Sequence, residues 1–113
     1  MKQRVLVIDD FDNVRKSIRA MLVKLGVETV VEATHGIQAL RIMRDQRFDV
    51  ILCDFNLGKG MDGQQLLEEA REQRVVPYTT LYILITAETS REMVMGALED
   101  EPDDYLAKPF AFD

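Results

Sequence analysis

The stretch Val50-Ile51-Leu52-Cys53-Asp54-Phe55-Asn56 decides how this chain folds. Four apolar residues in a row, without polar alternation, read as a strand buried on both faces, the pattern of a parallel sheet covered by helices. Asp54 closes the run, so its carboxylate stands at the carboxyl rim, where open α/β sheets carry their chemistry. Three other apolar runs also end in reactive side chains. Val5-Leu6-Val7-Ile8 ends in Asp9-Asp10, Leu81-Tyr82-Ile83-Leu84-Ile85 in Thr86, and Tyr105-Leu106-Ala107 in Lys108.

Helical patterns separate these runs. Val14, Ile18, Met21, Leu22 and Leu25 recur at the spacing of an apolar stripe, with Asp12 or Asn13 as N-cap and Gly26 as stop. Arg15, Lys16, Arg19 and Lys24 fall mostly off that stripe and read as a solvated face. A second strand spans Val27 to Glu32, and Thr34-His35-Gly36 turns it into a helix with Ile37, Leu40 and Met43 on one side. Leu57 to Gly63 is a glycine-rich loop before a helix marked by Leu66, Leu67 and Ala70. A further helix is expected from Ser90 to Leu98, weakened by Gly96 at about 1 kcal/mol relative to alanine. Strands alternating with helices predict a flavodoxin-like, doubly wound, five-stranded parallel sheet in the order 2-1-3-4-5.

In that order the first and third strands are neighbours, so Asp9, Asp10 and Asp54 crowd together. Like charges at such distances repel unless a cation lies among them, and an all-oxygen donor set open to water suits Mg²⁺. Asp54 is then a carboxylate nucleophile for a phosphoryl group, with the Thr86 hydroxyl and the Lys108 ammonium placed to stabilise its oxygens. Each residue taken singly has an ordinary reading: helix cap, turn hydroxyl or surface charge. Their joint placement at the ends of successive strands is what favours the chemistry.

The segments Val5 to Asp10, Val50 to Asp54, Ile83 to Ala87 and Asp104 to Phe110 resemble the receiver domain of two-component response regulators, along the whole chain. The resemblance implies that Asp54 accepts a phosphoryl group from a histidine kinase, a phosphotransfer protein or a small acyl phosphate. It implies Mg²⁺ held by Asp9, Asp10, Asp54 and the backbone carbonyl of Asn56, with Asp10 the direct ligand. Thr86 and Tyr105 would be the switch pair and Lys108 the family's lysine, followed by a cis bond to Pro109. Phosphorylation would reshape the fourth-helix and fifth-strand surface, which an output domain, an effector or a second copy in a homodimer reads. The basic side of the first helix would help dock the kinase. Such a domain is a switch and not an enzyme, though it assists its own phosphorylation and dephosphorylation.

The chain departs from the family in three places. The loop after Asp54 is one residue longer and has Gly58 where proline is usual, and Glu101-Pro102 replaces a glycine-containing turn inside an acidic cluster. The fifth helix expected after Phe110 is missing before Asp113, so residues 1–113 are expected to be a truncated receiver from a longer protein.

Composition narrows the alternatives. The net charge of −6 argues against nucleic-acid binding by this segment. One cysteine, Cys53, excludes a disulfide framework, and no apolar run is long enough for a signal peptide or membrane span, so a cytoplasmic location is expected. A haloacid-dehalogenase-like phosphatase also uses a strand-end aspartate with Mg²⁺, but needs a second carboxylate two residues on, where this chain has Asn56. A stand-alone receiver acting only through protein binding is the other alternative.

Overall fold

The computed structural model describes residues 2–86 and 102–107, the last three by backbone alone. The elements are β1 (Arg4–Ile8), α1 (Asp12–Lys24), β2 (Thr29–Ala33), α2 (Gly36–Asp45), β3 (Val50–Asp54), α3 (Gly63–Glu72), β4 (Leu81–Thr86) and β5 (Asp104–Ala107). All strand pairs are parallel, and the order is β2-β1-β3-β4-β5, as the alternation of elements predicts. The helix expected from Ser90 to Leu98, the residues Glu99 to Glu101, Lys108 and its bond to Pro109 lie outside the described residues.

Side chains alternate across the sheet and build two cores. On one face Leu6, Ile8, Ile51, Cys53, Tyr82 and Leu84 pack with Ala39, Leu40 and Met43 of α2 and Leu66, Leu67 and Ala70 of α3. On the other, Val5, Val7, Val30, Leu52 and Ile85 pack under Ile18 and Leu22 of α1. Central strands dry on both sides explain why β1 and β3 are continuous apolar runs.

Local chemistry sets where the helices begin and end. Gly26 ends α1 with φ +92°, a left-handed turn that suits glycine, its N–H donating to Val23 O. The α3 start is a capping box: Asp62 accepts from Gln65 N, and Gln65 Oε1 accepts from Asp62 N. His35 is the N-cap of α2, its Nδ1 accepting from Gln38 N, which makes it the turn residue expected.

Four local expectations are corrected. The N-cap of α1 is Phe11, not Asp12 or Asn13; it makes no side-chain cap bond, and its own N–H donates to Asp9 Oδ1. The second strand starts at Thr29, because Val27 is still part of the α1 stop, its N–H bonded to Leu22 O. Ile37 is 52% exposed; Ala39, Leu40 and Met43 face the sheet, and Gly36 is buried against the Met61 side chain, which a Cβ there would meet. Arg15 does not lie on the solvated face but is buried, at 7% exposure.

Cys53 is inert core, fully buried, with its thiol donating to Asp54 O at 3.3 Å. Burial above all, with the Asp54 and Asp9 carboxylates adding to it, pushes the thiol from 9.0 to about 12. The Tyr82 hydroxyl is also pushed up by burial. Both groups hold their protons in the fold at pH values where the unfolded chain releases them. Their contribution to stability is therefore complete below about pH 9 and lost as pH rises toward 12. The urea midpoint should fall between pH 8 and pH 11, and Cys53 should resist an aromatic disulfide reagent at pH 8 until the protein unfolds. A native thiol titrating as fast as free cysteine would contradict this burial.

Candidate functional site

The register of β1 and β3 builds the site. Ile8 pairs with Cys53, so Asp9 and Asp54 are the next residues on adjacent strands, a sheet spacing of about 4.8 Å apart. Both continue the parity of Val5, Val7 and Leu52, the α1-side face. Carboxylate oxygens of Asp9, Asp10 and Asp54 lie within 4.8 Å of one another, with Asp9 and Asp54 buried and Asp10 exposed. This is the convergence the sequence predicts. The donor set is all oxygen, open to water at Asp10, which fits Mg²⁺ and lacks the nitrogen or sulfur ligands of a zinc site.

The other predicted residues are placed unequally. Thr86 is the last residue of β4, buried, one position beyond the Ile85 that pairs with Asp54. Tyr105 pairs with Leu84 through the backbone, and its side chain lies outside the description. Lys108 directly follows the end of β5 at Ala107. Asn56 is exposed beyond β3, and its Oδ1 accepts from Gly58 N at 3.0 Å.

Main-chain ties hold the rim. Asp9 N donates to Ala33 O, and Phe55 N donates to Ile85 O, so each neighbour of the cluster is stitched to the adjacent strand. Gly63 N then returns to Phe55 O at 2.7 Å, bringing the start of α3 against the backbone that leaves β3. Below it, the buried Tyr82 hydroxyl donates to Gly63 O at 2.7 Å. In the loop between, Gly58 adopts φ +77°, and a Cβ there would sit 3.1 Å from Asp10 Oδ2. Glycine at this position, noticed in the sequence only as a departure, is what lets the loop pass beside the carboxylate.

Fold and site define a class: a doubly wound sheet with an acid triad at its carboxyl rim and a buried hydroxyl one strand over. The response regulator receiver domain family matches residues 5–113, and the chain belongs to it. It is a receiver domain of the CheY-like kind, a phosphorylation-dependent switch and a signalling domain, not a classical enzyme. The chemotaxis protein CheY-3 of Vibrio cholerae is 32% identical over 107 residues, covering 95% of this chain and 81% of its own. The receiver domain of a sensor histidine kinase from Pseudomonas aeruginosa, solved with magnesium in its active-site cleft, superposes with a TM-score of 0.80 at 32% identity, covering 98% of this chain and 88% of its own. A Burkholderia pseudomallei response regulator carrying a phosphorylated aspartic acid and a calcium ion gives 0.82 at 27% identity, covering 97% of this chain and 62% of its own. Receiver domains act with histidine kinases or phosphotransfer proteins and with output partners. Among the described residues no helix is long and apolar enough to cross a membrane.

Gly63 offers a direct test of the rim's packing. A Cβ there would stand 2.5 Å from Asp54 O and 3.1 Å from Phe55 Cα, backbone atoms that yield only if the strand moves. Gly63→Ala should therefore cost roughly 1–3 kcal/mol, the range for overpacking, read as a lower urea midpoint with the slope unchanged.

Proposed function

We propose that Asp54 is the phosphoacceptor of this switch. A carboxylate oxygen of Asp54 attacks phosphorus, the bond from phosphorus to the donor breaks, and the donor leaves with the electron pair. The donor is the phosphohistidine of a kinase or phosphotransfer protein, or a small acyl phosphate. Asp9, Asp10, Asp54 and the backbone carbonyl of Asn56 would hold Mg²⁺, which when bound neutralises charge on the transferring group. Thr86 presents a hydroxyl and Lys108 an ammonium to the remaining oxygens. The observation that carries this reading is the convergence of three carboxylates at the carboxyl rim of a receiver fold.

In this reading Thr86 moves toward the phosphoryl group and Tyr105 turns into the space it leaves, changing the surface beyond β4 that a partner or a second copy meets. The domain assists the arrival and loss of its own phosphoryl group through the same residues. Asn56 supports a signal over a turnover enzyme: a phosphatase needs a general base two residues after its nucleophile, and an amide has no such basicity.

Incubation with acetyl phosphate and Mg²⁺, read by intact mass, should show a single phosphoryl adduct on the wild-type chain. Asp54→Asn should give none, and chelation of the metal should suppress it. The same adduct on Asp54→Asn would place the acceptor elsewhere.

A further inference from the structure

Arg15 is a buried cation that the phosphoryl chemistry does not use. Its guanidinium joins three elements: Nη1 donates to the backbone carbonyl of Asp9 at 2.9 Å, Nε to Glu32 Oε1 at 2.8 Å, and Nη2 to Asp12 Oδ1 at 2.5 Å. Glu32 is held in turn by Arg19 Nη1 at 3.2 Å. Burying a guanidinium requires its donors to find acceptors, and here the planar fork meets acceptors on β2, on α1 and at the turn that follows β1. A lysine has one nitrogen and cannot span the same set.

The acceptor at the turn is the backbone of Asp9, one of the three clustered carboxylates. Asp9 N donates to Ala33 O, and Asp9 Oδ1 receives Phe11 N, so with Arg15 on its carbonyl the residue is fixed on both sides of its Cα and at its side chain. Asp10 follows in the same turn. We infer that Arg15, buttressed by Glu32, is a positioning residue that fixes the Asp9-Asp10 turn in the geometry a divalent cation needs. This rests on the reading that the acid cluster holds Mg²⁺.

The sign of the effect separates positioning from charge. A guanidinium near the cluster repels a cation, so if Arg15 acted through its charge alone, Arg15→Gln would tighten Mg²⁺ binding. Positioning predicts the reverse: about fivefold weaker binding for Arg15→Gln, the equivalent of one hydrogen bond of about 1 kcal/mol. Arg15→Lys, which keeps the charge, would not restore it. Glu32→Ala, which leaves Arg15 in place without its buttress, should weaken binding about two- to threefold and serves if Arg15→Gln does not fold. The readout is a titration with MgCl₂ alone, followed by the backbone amide shifts of Asp9 and Asp10 in the full chain. Wild-type affinity in every variant that folds, with only stability lowered, would overturn the inference while leaving the metal reading intact. A wild-type chain whose Asp9 and Asp10 amides ignore millimolar Mg²⁺ would overturn both.

Discussion

The pairing of Ile8 with Cys53 across two parallel strands forces Asp9 and Asp54 side by side, and the turn after β1 brings Asp10 to the same place. At 4.8 Å and an effective dielectric of 20, two buried carboxylates repel by on the order of 3 kcal/mol. That is a large fraction of the 5–15 kcal/mol by which a domain is usually stable. A cation at the rim relieves that repulsion, and an all-oxygen donor set open to water suits a divalent ion from solvent. The crowding of carboxylates at the carboxyl edge is thus what suits the site to a metal.

Everything beneath that edge is stiff. The strands carrying the acids are dry on both faces, and Cys53 and Tyr82 stay neutral there because burial opposes their ionisation. Tyr82 reaches up to Gly63 O and Gly63 N to Phe55 O, so the α3 start, the end of β3 and β4 are one hydrogen-bonded unit.

Much of this was legible in the sequence because it depends on runs and ends. Unbroken apolar runs identify strands of a doubly covered sheet, and the residue that closes each run lies on the rim whatever the packing is like, so Asp9, Asp54 and Thr86 could be placed from order alone. Features that depend on partners distant in the chain were not legible. Helical periodicity puts Arg15 with the solvated residues, and only the approach of Glu32, seventeen positions on, and of the Asp9 carbonyl draws it inside. The cap at Phe11 escapes the sequence for a related reason: the side-chain oxygen expected at the helix start from Asp12 or Asn13 is supplied to the turn by Asp9, two residues before Phe11. Ile37 followed its hydrophobicity into the predicted core, whereas the structure buries Gly36 and Ala39 so that α2 can lie close to Met61 and the sheet.

The loop after Asp54 shows why the same edge serves a signal better than rapid hydrolysis. Hydrolysing an aspartyl phosphate quickly takes a base aimed at a water, and the residue two positions on is an amide whose oxygen already receives Gly58 N. Gly58 in turn is bent to φ +77° with Asp10 close by, so the loop is shaped by its passage past the acid cluster and not by the positioning of a second catalytic group. A side chain that could strip a proton from water would have to enter where Asn56 closes this turn, and it would bring another negative charge to an edge already crowded with three. The electrostatics that call for a cation thus also disfavour a general base at this position.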